Sequence, residues 1–278
     1  NGTIIQQGDM KNFSTEKIIQ IIAESGYISK YPKLYFDNDE KILELKNICY
    51  KNSLKNISFC LKKQEILGVT GNANSGKNKL IEALFGMVKP DSGEIILEGN
   101  SIKLKHPYEA MAKGFALVPE DKLKYSLFEH LDLTNNLTMS SLKRFSKYTI
   151  LDNNIMTTVA ESYISKLRIY PGHPEDNVLN YSGGNQQKVI FAKSIMHFAN
   201  IYLLDEPTRG IDVAAKNDIY NTMNNLLING SSIILFSSDF NEILGMCDRI
   251  LVLSNGKIVV ELNGNDATKE EIVYYLTL

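Results

Sequence analysis

Apolar residues recur along the chain at two periods. Short alternating or wholly apolar runs are separated by segments in which apolar positions return every three to four residues. ILELKNICY, after Lys41, alternates well enough for a strand, and LKNISFCLKKQEILGVTG supplies two more, ending at Gly71. SGKNKLIEALFGMV (75–88) reads as a helix with Leu80, Ile81, Leu84 and Phe85 on its apolar face. KPDSGEIILEGNSI is a turn and strand, HPYEAMAK (106–113) a short helix, and GFALVPED a strand running into a loop. Residues 131–176 are polar and helical with Asn-rich joints, carried mainly by 135–147 and 153–169. GGNQQKVIFAKSIMHFAN (183–200) is a strong helix, IYLLDEP a buried strand, KNDIYNTMNNLL a helix and SSIILFSSD a strand. DFNEILGMC is a short helix, DRILVLSNGKIVVEL a hairpin and KEEIVYYL a closing helix. Strands alternating with helices predict an α/β fold around a mainly parallel sheet.

The N-terminal end reads differently. NGTIIQQGD is a turn and strand, and STEKIIQIIAES (14–25) a helix capped by Ser14 or Thr15. YISKYPKLYFDNDEK, with Pro32 and a polar DND cluster, reads as a linker. One strand and one helix cannot bury a core alone. NGTIIQQGDMKNFSTEKIIQII also echoes NGKIVVELNGNDATKEEIVYYL (255–276), which predicts two similar domains joined in tandem. On this reading residues 1–30 end a first domain, 31–40 connect, and 41–278 form the second; the chain, which opens on Asn, is expected to be a piece of something longer.

Composition narrows the class. The 278 residues suffice for one large domain or two modest ones, and a net charge of -2 gives no broad reason to expect nucleic acid. No apolar run approaches the roughly 18 residues of a membrane span. Cys49, Cys60 and Cys247 form no C-x-x-C pair and are expected to be reduced, buried and inert. His106, His130, His173 and His197 share no metal-ligand spacing and are expected to be structural or surface residues.

Two stretches carry chemistry. GNANSGKNK (Gly71–Lys79) supplies a Gly, four residues, Gly76 and Lys77 between a strand and a helix. Small residues let backbone N–H groups converge on phosphates, and Lys77 can reach the outer ones. The position that should offer a hydroxyl to Mg2+ holds Asn78, whose amide oxygen is longer in reach and bulkier, and Asn74 replaces a small residue inside the loop. A Gly-rich turn with a solvent lysine is the competing reading of this loop alone. Downstream, Asp205 closes an apolar strand with Glu206 beside it; the first can orient Mg2+, the second can hold an attacking water as general base.

With these motifs and those that follow, the chain resembles the ATP-binding cassette family over its whole length. YSGGNQQKV (181–189) is similar to the family's signature loop, and LLDEPTRGID (203–212) to its second nucleotide motif and D-loop. SGGNQQKV with DEPTRGID, GFALVPED (114–121) and LGMCDRI (244–250) resemble the second cassette of tandem-cassette importers for simple sugars such as ribose, galactose and xylose. A related nucleoside-importer group usually lacks the Asp–Glu pair. The resemblance implies a phosphate-loop nucleotidase core with an antiparallel N-terminal subdomain and a helical subdomain at about 131–181, and it implies ATP and Mg2+ as ligands. Gly71, Asn72, Asn74, Ser75, Gly76, Lys77, Asn78 and Lys79 would bind ATP, with Tyr50 against adenine or simply packed. Ser182, Gly183 and Gly184 would contact the γ-phosphate on a partner cassette, and Asp212 would sit at the seam. Glu206, Glu120 and Ser238 would be the catalytic positions, and Asn78, Asp205 and Glu120 the metal positions.

Ser238 stands where the family normally has His, Glu120 where it has Gln, and Gln64 where many cassettes have Gly before the strand. Partners implied are the preceding cassette, integral membrane permease subunits and, indirectly, an extracytoplasmic sugar-binding protein, at the cytoplasmic face of a bacterial membrane, without nucleic acid; the isolated piece is read as monomer or homodimer. Whether this half hydrolyses ATP is left open. A regulatory cassette with little turnover, or a soluble cassette ATPase, are the alternatives. Lys79, Lys122 and Lys124 otherwise read as solvated surface lysines.

Overall fold

The computed structural model describes residues 31–148 and 150–277; the strand, helix and tandem echo expected in 1–30 lie outside the described residues. From the N-terminal side come β1 (Lys41–Tyr50), β2 (Leu54–Lys62), β3 (Ile66–Gly71), α1 (Lys77–Leu84), β4 (Ser92–Leu97), β5 (Asn100–Ile102), α2 (Pro107–Ala112), β6 (Phe115–Val118), α3 (Lys122–Tyr125) and α4 (Leu133–Thr138). A 3-10 segment (Met139–Phe145) leads to β7 (Ser146–Lys147) and β8 (Ile150–Leu151). Then follow α5 (Asn153–Lys166), α6 (Gly183–Ile195), β9 (Ile201–Asp205), α7 (Val213–Ile228), β10 (Ser232–Phe236), α8 (Phe240–Met246), β11 (Arg249–Ser254), β12 (Lys257–Asn263) and α9 (Lys269–Thr277). Among the described residues no helix is long and apolar enough to cross a membrane.

The central sheet has the order β12-β11-β3-β10-β9-β6, parallel except for the β12 edge. Its five parallel strands are buried on both faces, as enclosure between two layers requires, whereas the β12 edge is half-exposed. Ile66, Tyr202, Leu204, Ile233, Leu235, Ile250 and Val252 face one core, which they share with α6, α7 and α8. Leu67, Val69, Leu203, Ile234, Phe236, Leu251 and Leu253 alternate into the other, shared with α1 and the antiparallel sheet β2-β1-β4-β5. The period of two along each strand thus sorts residues between two layers.

Helix starts follow side-chain caps. Asp152, Ser182, Asp212 and Asp239 each accept from a backbone N–H in the first turn of α5, α6, α7 and α8. Ends depart from the expectation. The helix expected over 75–88 stops at Leu84, because Gly86 turns with φ +72 and a Cβ there would meet the His106 carbonyl at 2.8 Å. The helix expected over 183–200 stops at Ile195. The one expected over 135–147 breaks: Ser140 and Ser141 hydroxyls donate to Lys193 O and Met196 O, as does Arg144 to Met196 O, pulling the chain across the end of α6 and into the β7–β8 hairpin.

The stretch read as a linker is docked. Lys33, 6% exposed at its side chain, lies 3.3 Å from Asp248, whose other oxygen accepts from Ile66 N at the head of β3. Tyr31 packs against Tyr220 with the rings tilted and their centroids 5.5 Å apart, the Asn224 amide donates to Pro32 O, and Tyr35 donates to Asn265. The expectation that all three cysteines are buried holds for Cys247; Cys49 and Cys60 are half-buried. The reason is position: Cys247 lies behind Gly68 in a core, whereas the other two sit in the antiparallel sheet.

Candidate functional site

In the central sheet β3, β10, β9 and β6 are parallel neighbours, so the segments after their C-terminal ends share one edge. Those segments are 71–77, Ser237–Ser238, Asp205–Glu206 and Pro119–Glu120. Sequence-distant candidates are therefore brought together by topology alone.

The 71–77 loop is folded on itself and on two turns. Ser75, 1% exposed, donates its N–H to Asn72 O and accepts from Gly256 N. A Cβ on Gly71 would meet Ser75 Oγ at 2.5 Å, and one on Gly76 would meet Ser53 O at 2.4 Å; Gly76 also sits at φ +94. Both positions require glycine. Gly76 caps α1 without any side-chain hydrogen bond, which leaves first-turn N–H groups for an anion. Asn74 and Asn78 are exposed. The Asn72 amide donates to Leu276 O at 3.3 Å.

The acid and the lysine meet. Lys77 Nζ is 2.7 Å from Glu206 Oε1, and Ser238 Oγ donates to Glu206 Oε2 at 3.2 Å. Glu206 adopts φ +46, held by its N–H on Phe236 O at 2.8 Å. Such a backbone costs about 1–3 kcal/mol in a non-glycine residue and aims the carboxylate at Lys77. Asp205 has a buried oxygen, Oδ1, with no hydrogen-bond partner. Burial pushes its carboxyl up to about 6; the neighbouring Glu206 charge adds and Lys77 opposes.

Other candidates fall elsewhere. Glu120 forms an ion pair with Arg209, a residue the sequence reading passed over although it follows the DEP turn. Lys79 pairs with Glu82 one turn along α1, at 2.6 Å. Tyr50 is half-buried against the antiparallel-sheet core, with Lys51 Nζ 5.3 Å from its ring. Ser182 caps α6, and a Cβ on Gly184 would meet Ala215 at 2.8 Å and Asp212 Oδ2 at 3.4 Å, so Asp212 and the SGG motif adjoin. Lys122, read as solvated, donates to Gly183 O. His197 Nε2 bonds Met111 O, consistent with a structural histidine.

Comparisons with known proteins place this geometry. A family model described as ABC transporter matches residues 54–209. The chain is 37% identical, over 100% of its length and 56% of the relative's, to the xylose import ATP-binding protein XylG of Thermoanaerobacter pseudethanolicus. It is 34% identical over 100% of its length to the ribose import ATP-binding protein RbsA of Bacillus subtilis, again 56% of that protein. A galactose/methyl galactoside import ATP-binding protein, MglA of Fusobacterium nucleatum, is 37% identical over 98% of the chain and 55% of that relative. The chain spans about half the length of the curated relatives it matches. Among solved structures, a nucleotide-free ATP-binding cassette from an ABC transporter superposes with TM-score 0.71 at 21% identity, covering 86% of this chain and 96% of that one. At that identity the likeness speaks for the fold, which is that of an ABC cassette. The match over more than half the chain, the relatives' identity and this fold agree: the chain belongs to the ABC transporter ATP-binding family and is similar to the ribose, xylose and galactose import ATP-binding proteins.

Proposed function

We propose that the chain is an ATP-binding cassette that energises import of a simple sugar through a membrane permease, by nucleotide-driven closure against a second cassette followed by ATP hydrolysis. The observation that carries this reading is the meeting of Lys77, Glu206 and Ser238 beside the unpartnered Asp205 oxygen, at the ends of neighbouring parallel strands. The relatives' names supply the substrate class.

Residues 41–278 form the cassette, with a helical subdomain at about 131–181; 31–40 connect it to a preceding cassette whose end is 1–30. Work takes place at the cytoplasmic face of a bacterial membrane, where permease subunits receive the motion and an extracytoplasmic binding protein supplies sugar. ATP would take Lys77 as the partner of its outer phosphates, and the uncapped start of α1 as donors. Glu206, released from Lys77 and still held by Ser238, would then accept a proton from the attacking water. The residues fit Mg2+: the orphaned Asp205 oxygen lacks a partner, and Asn78 offers an amide oxygen from the exposed start of α1. When bound, the ion would neutralise charge on the phosphates. Glu120, paired with Arg209, would join only after that pair opens.

A second reading is a cassette that binds ATP and regulates with little turnover. The exposed Asn78 and the Ser238 substitution favour it. The two separate in the full-length protein with its permease in vesicles: Glu206→Gln, with ATP binding retained, should lower sugar-coupled turnover at this cassette by at least 100-fold. Unchanged turnover per site would leave the regulatory reading standing.

A further inference from the structure

Glu242 stands in the first turn of α8 with only 1% of its surface exposed, and its Oε1 accepts from the Thr208 hydroxyl at 2.7 Å. Thr208 is itself buried. Burial raises the Glu242 carboxyl above its usual range, and hydrogen bonds from the Ser237 and Thr208 hydroxyls oppose that shift. Glu242 is in none of the ion pairs among the described residues. Lys216, the cation that acts on it from α7, is paired with Asp239 at 3.4 Å. A carboxylate kept in a core without an ion pair is costly, and an apolar side chain of similar length would fill the space without that penalty.

Its two hydroxyl partners sit on the two segments that grip Glu206. Thr208 lies in the turn that Arg209 N closes on Glu206 O at 3.1 Å. Ser237, fully buried, follows β10 and donates its N–H to Val69 O at 3.2 Å. The next residue is Ser238, whose hydroxyl donates to Glu206 Oε2. A closed ring of bonds therefore runs from Glu206 through its turn to Thr208, across Glu242 to Ser237, and back through Ser238 to the Glu206 carboxylate. Glu206 needs such a clamp, because it holds φ +46, a backbone state that persists in a non-glycine residue only where its surroundings over-determine it. The connector covers this side of α8: a Cβ on Gly245 would run into the Tyr31 ring, which also packs on Tyr220. The Tyr31 hydroxyl is pushed up to about 12, chiefly by burial, with Asp239 and Glu242 adding to it.

We propose that Glu242 is a positioning residue for the Glu206 carboxylate: by bonding Thr208 and Ser237 at once, it fixes the turn after Glu206 against the end of β10 and holds the acid where it meets the attacking water. This rests on the hydrolysis proposed above. A carboxylate present only to satisfy two buried hydroxyls would matter for folding and not for the rate of a folded site.

The test uses the full-length protein containing this chain, with its permease in vesicles, and reads the share of ATP turnover that Lys77→Ala removes. Rates are divided by ATP bound per protein, so misfolded molecules do not count. Thr208→Val and Glu242→Met should each lower kcat about 10- to 100-fold, with KM for ATP unchanged within a few-fold. Thr208→Ser and Glu242→Gln, which keep hydrogen-bonding groups in place, should stay within a few-fold of the parent. In a Glu206→Gln background neither Thr208→Val nor Glu242→Met should lower turnover further, since both act through that carboxylate. Parent-like kcat in Thr208→Val and Glu242→Met, or the same loss repeated on top of Glu206→Gln, overturns the proposal. If Glu206→Gln alone leaves turnover unaltered, the proposed hydrolysis fails and the positioning role with it; loss in Glu206→Gln without loss in the other two removes the positioning role only.

Discussion

Lys77 Nζ and Glu206 Oε1 lie 2.7 Å apart, with side chains only 9% and 8% exposed. The cation proposed to hold phosphate and the acid proposed to hold the attacking water neutralise each other across neighbouring loops. Removing either partner strands a buried charge. Lys77→Ala and Glu206→Gln should each destabilise the protein by about 3 kcal/mol. The double variant should cost less than the sum, because both charges leave together. Urea midpoints of the four proteins measure this, and strictly additive costs would mean the pair is not formed in solution.

Gly68 lies in β3, three residues before the phosphate loop. A Cβ there would meet Cys247 Sγ at 2.6 Å, its Cβ at 3.1 Å and Ile243 Cδ1 at 3.2 Å. Gly68→Ala should therefore cost about 1–3 kcal/mol by overpacking. Adding Cys247→Ala removes the tightest contact and should recover part of that loss. Thermal or urea unfolding of the pair reports it; no recovery would place the strain elsewhere.

The residues that the fold gathers at the candidate site stand out in the sequence. Gly71, Gly76 and Lys77 announce a phosphate loop by spacing, and Asp205–Glu206 announce themselves by ending an apolar run. The strand–helix alternation predicted the parallel sheet whose edge gathers them. What spacing cannot carry is long-range pairing. The Lys77–Glu206, Ser238–Glu206, Arg209–Glu120 and Lys122–Gly183 contacts each depend on strand order, which no local pattern encodes. Helix ends depart from periodicity where tertiary contacts override it, as at Ser141 and Gly86. The 31–40 stretch looked like a linker because Pro32 and DND suppress regular structure; its anchoring comes from single side chains.

Those anchors can be weighed. Lys33 is almost wholly enclosed against Asp248 and the Cys247 carbonyl, whereas Tyr35 makes an exposed bond to Asn265. Lys33→Ala should cost about 3 kcal/mol, since it leaves Asp248 facing an unfilled gap. Tyr35→Phe should change stability by less than about 0.5 kcal/mol. Equal effects in chemical unfolding would mean the stretch is held by its backbone.

Lys193 gives a pH signature. Half-buried on α6, it donates to Ser126 O at 2.5 Å, and burial pulls its ammonium down to about 8. The unfolded chain then binds more protons than the folded one between about pH 8 and pH 10.5, so this group raises stability as pH climbs through that window and withdraws it as pH falls through 8. Lys193→Met should flatten that part of the stability profile. The comparison is the change in unfolding free energy between pH 7 and pH 10, parent against variant; identical slopes would show that the ammonium is freely solvated.

The phosphate loop itself is tested by titrating this chain with ATP, with Mg2+ and with a chelator, beside Lys77→Ala. Binding should be tightened by Mg2+, through Asp205 and Asn78, and should fall at least 100-fold in the variant, since Lys77 is the only described cation on Glu206. ATP binding that is indifferent to Lys77→Ala would contradict the assignment of Gly71–Lys79 as the nucleotide site.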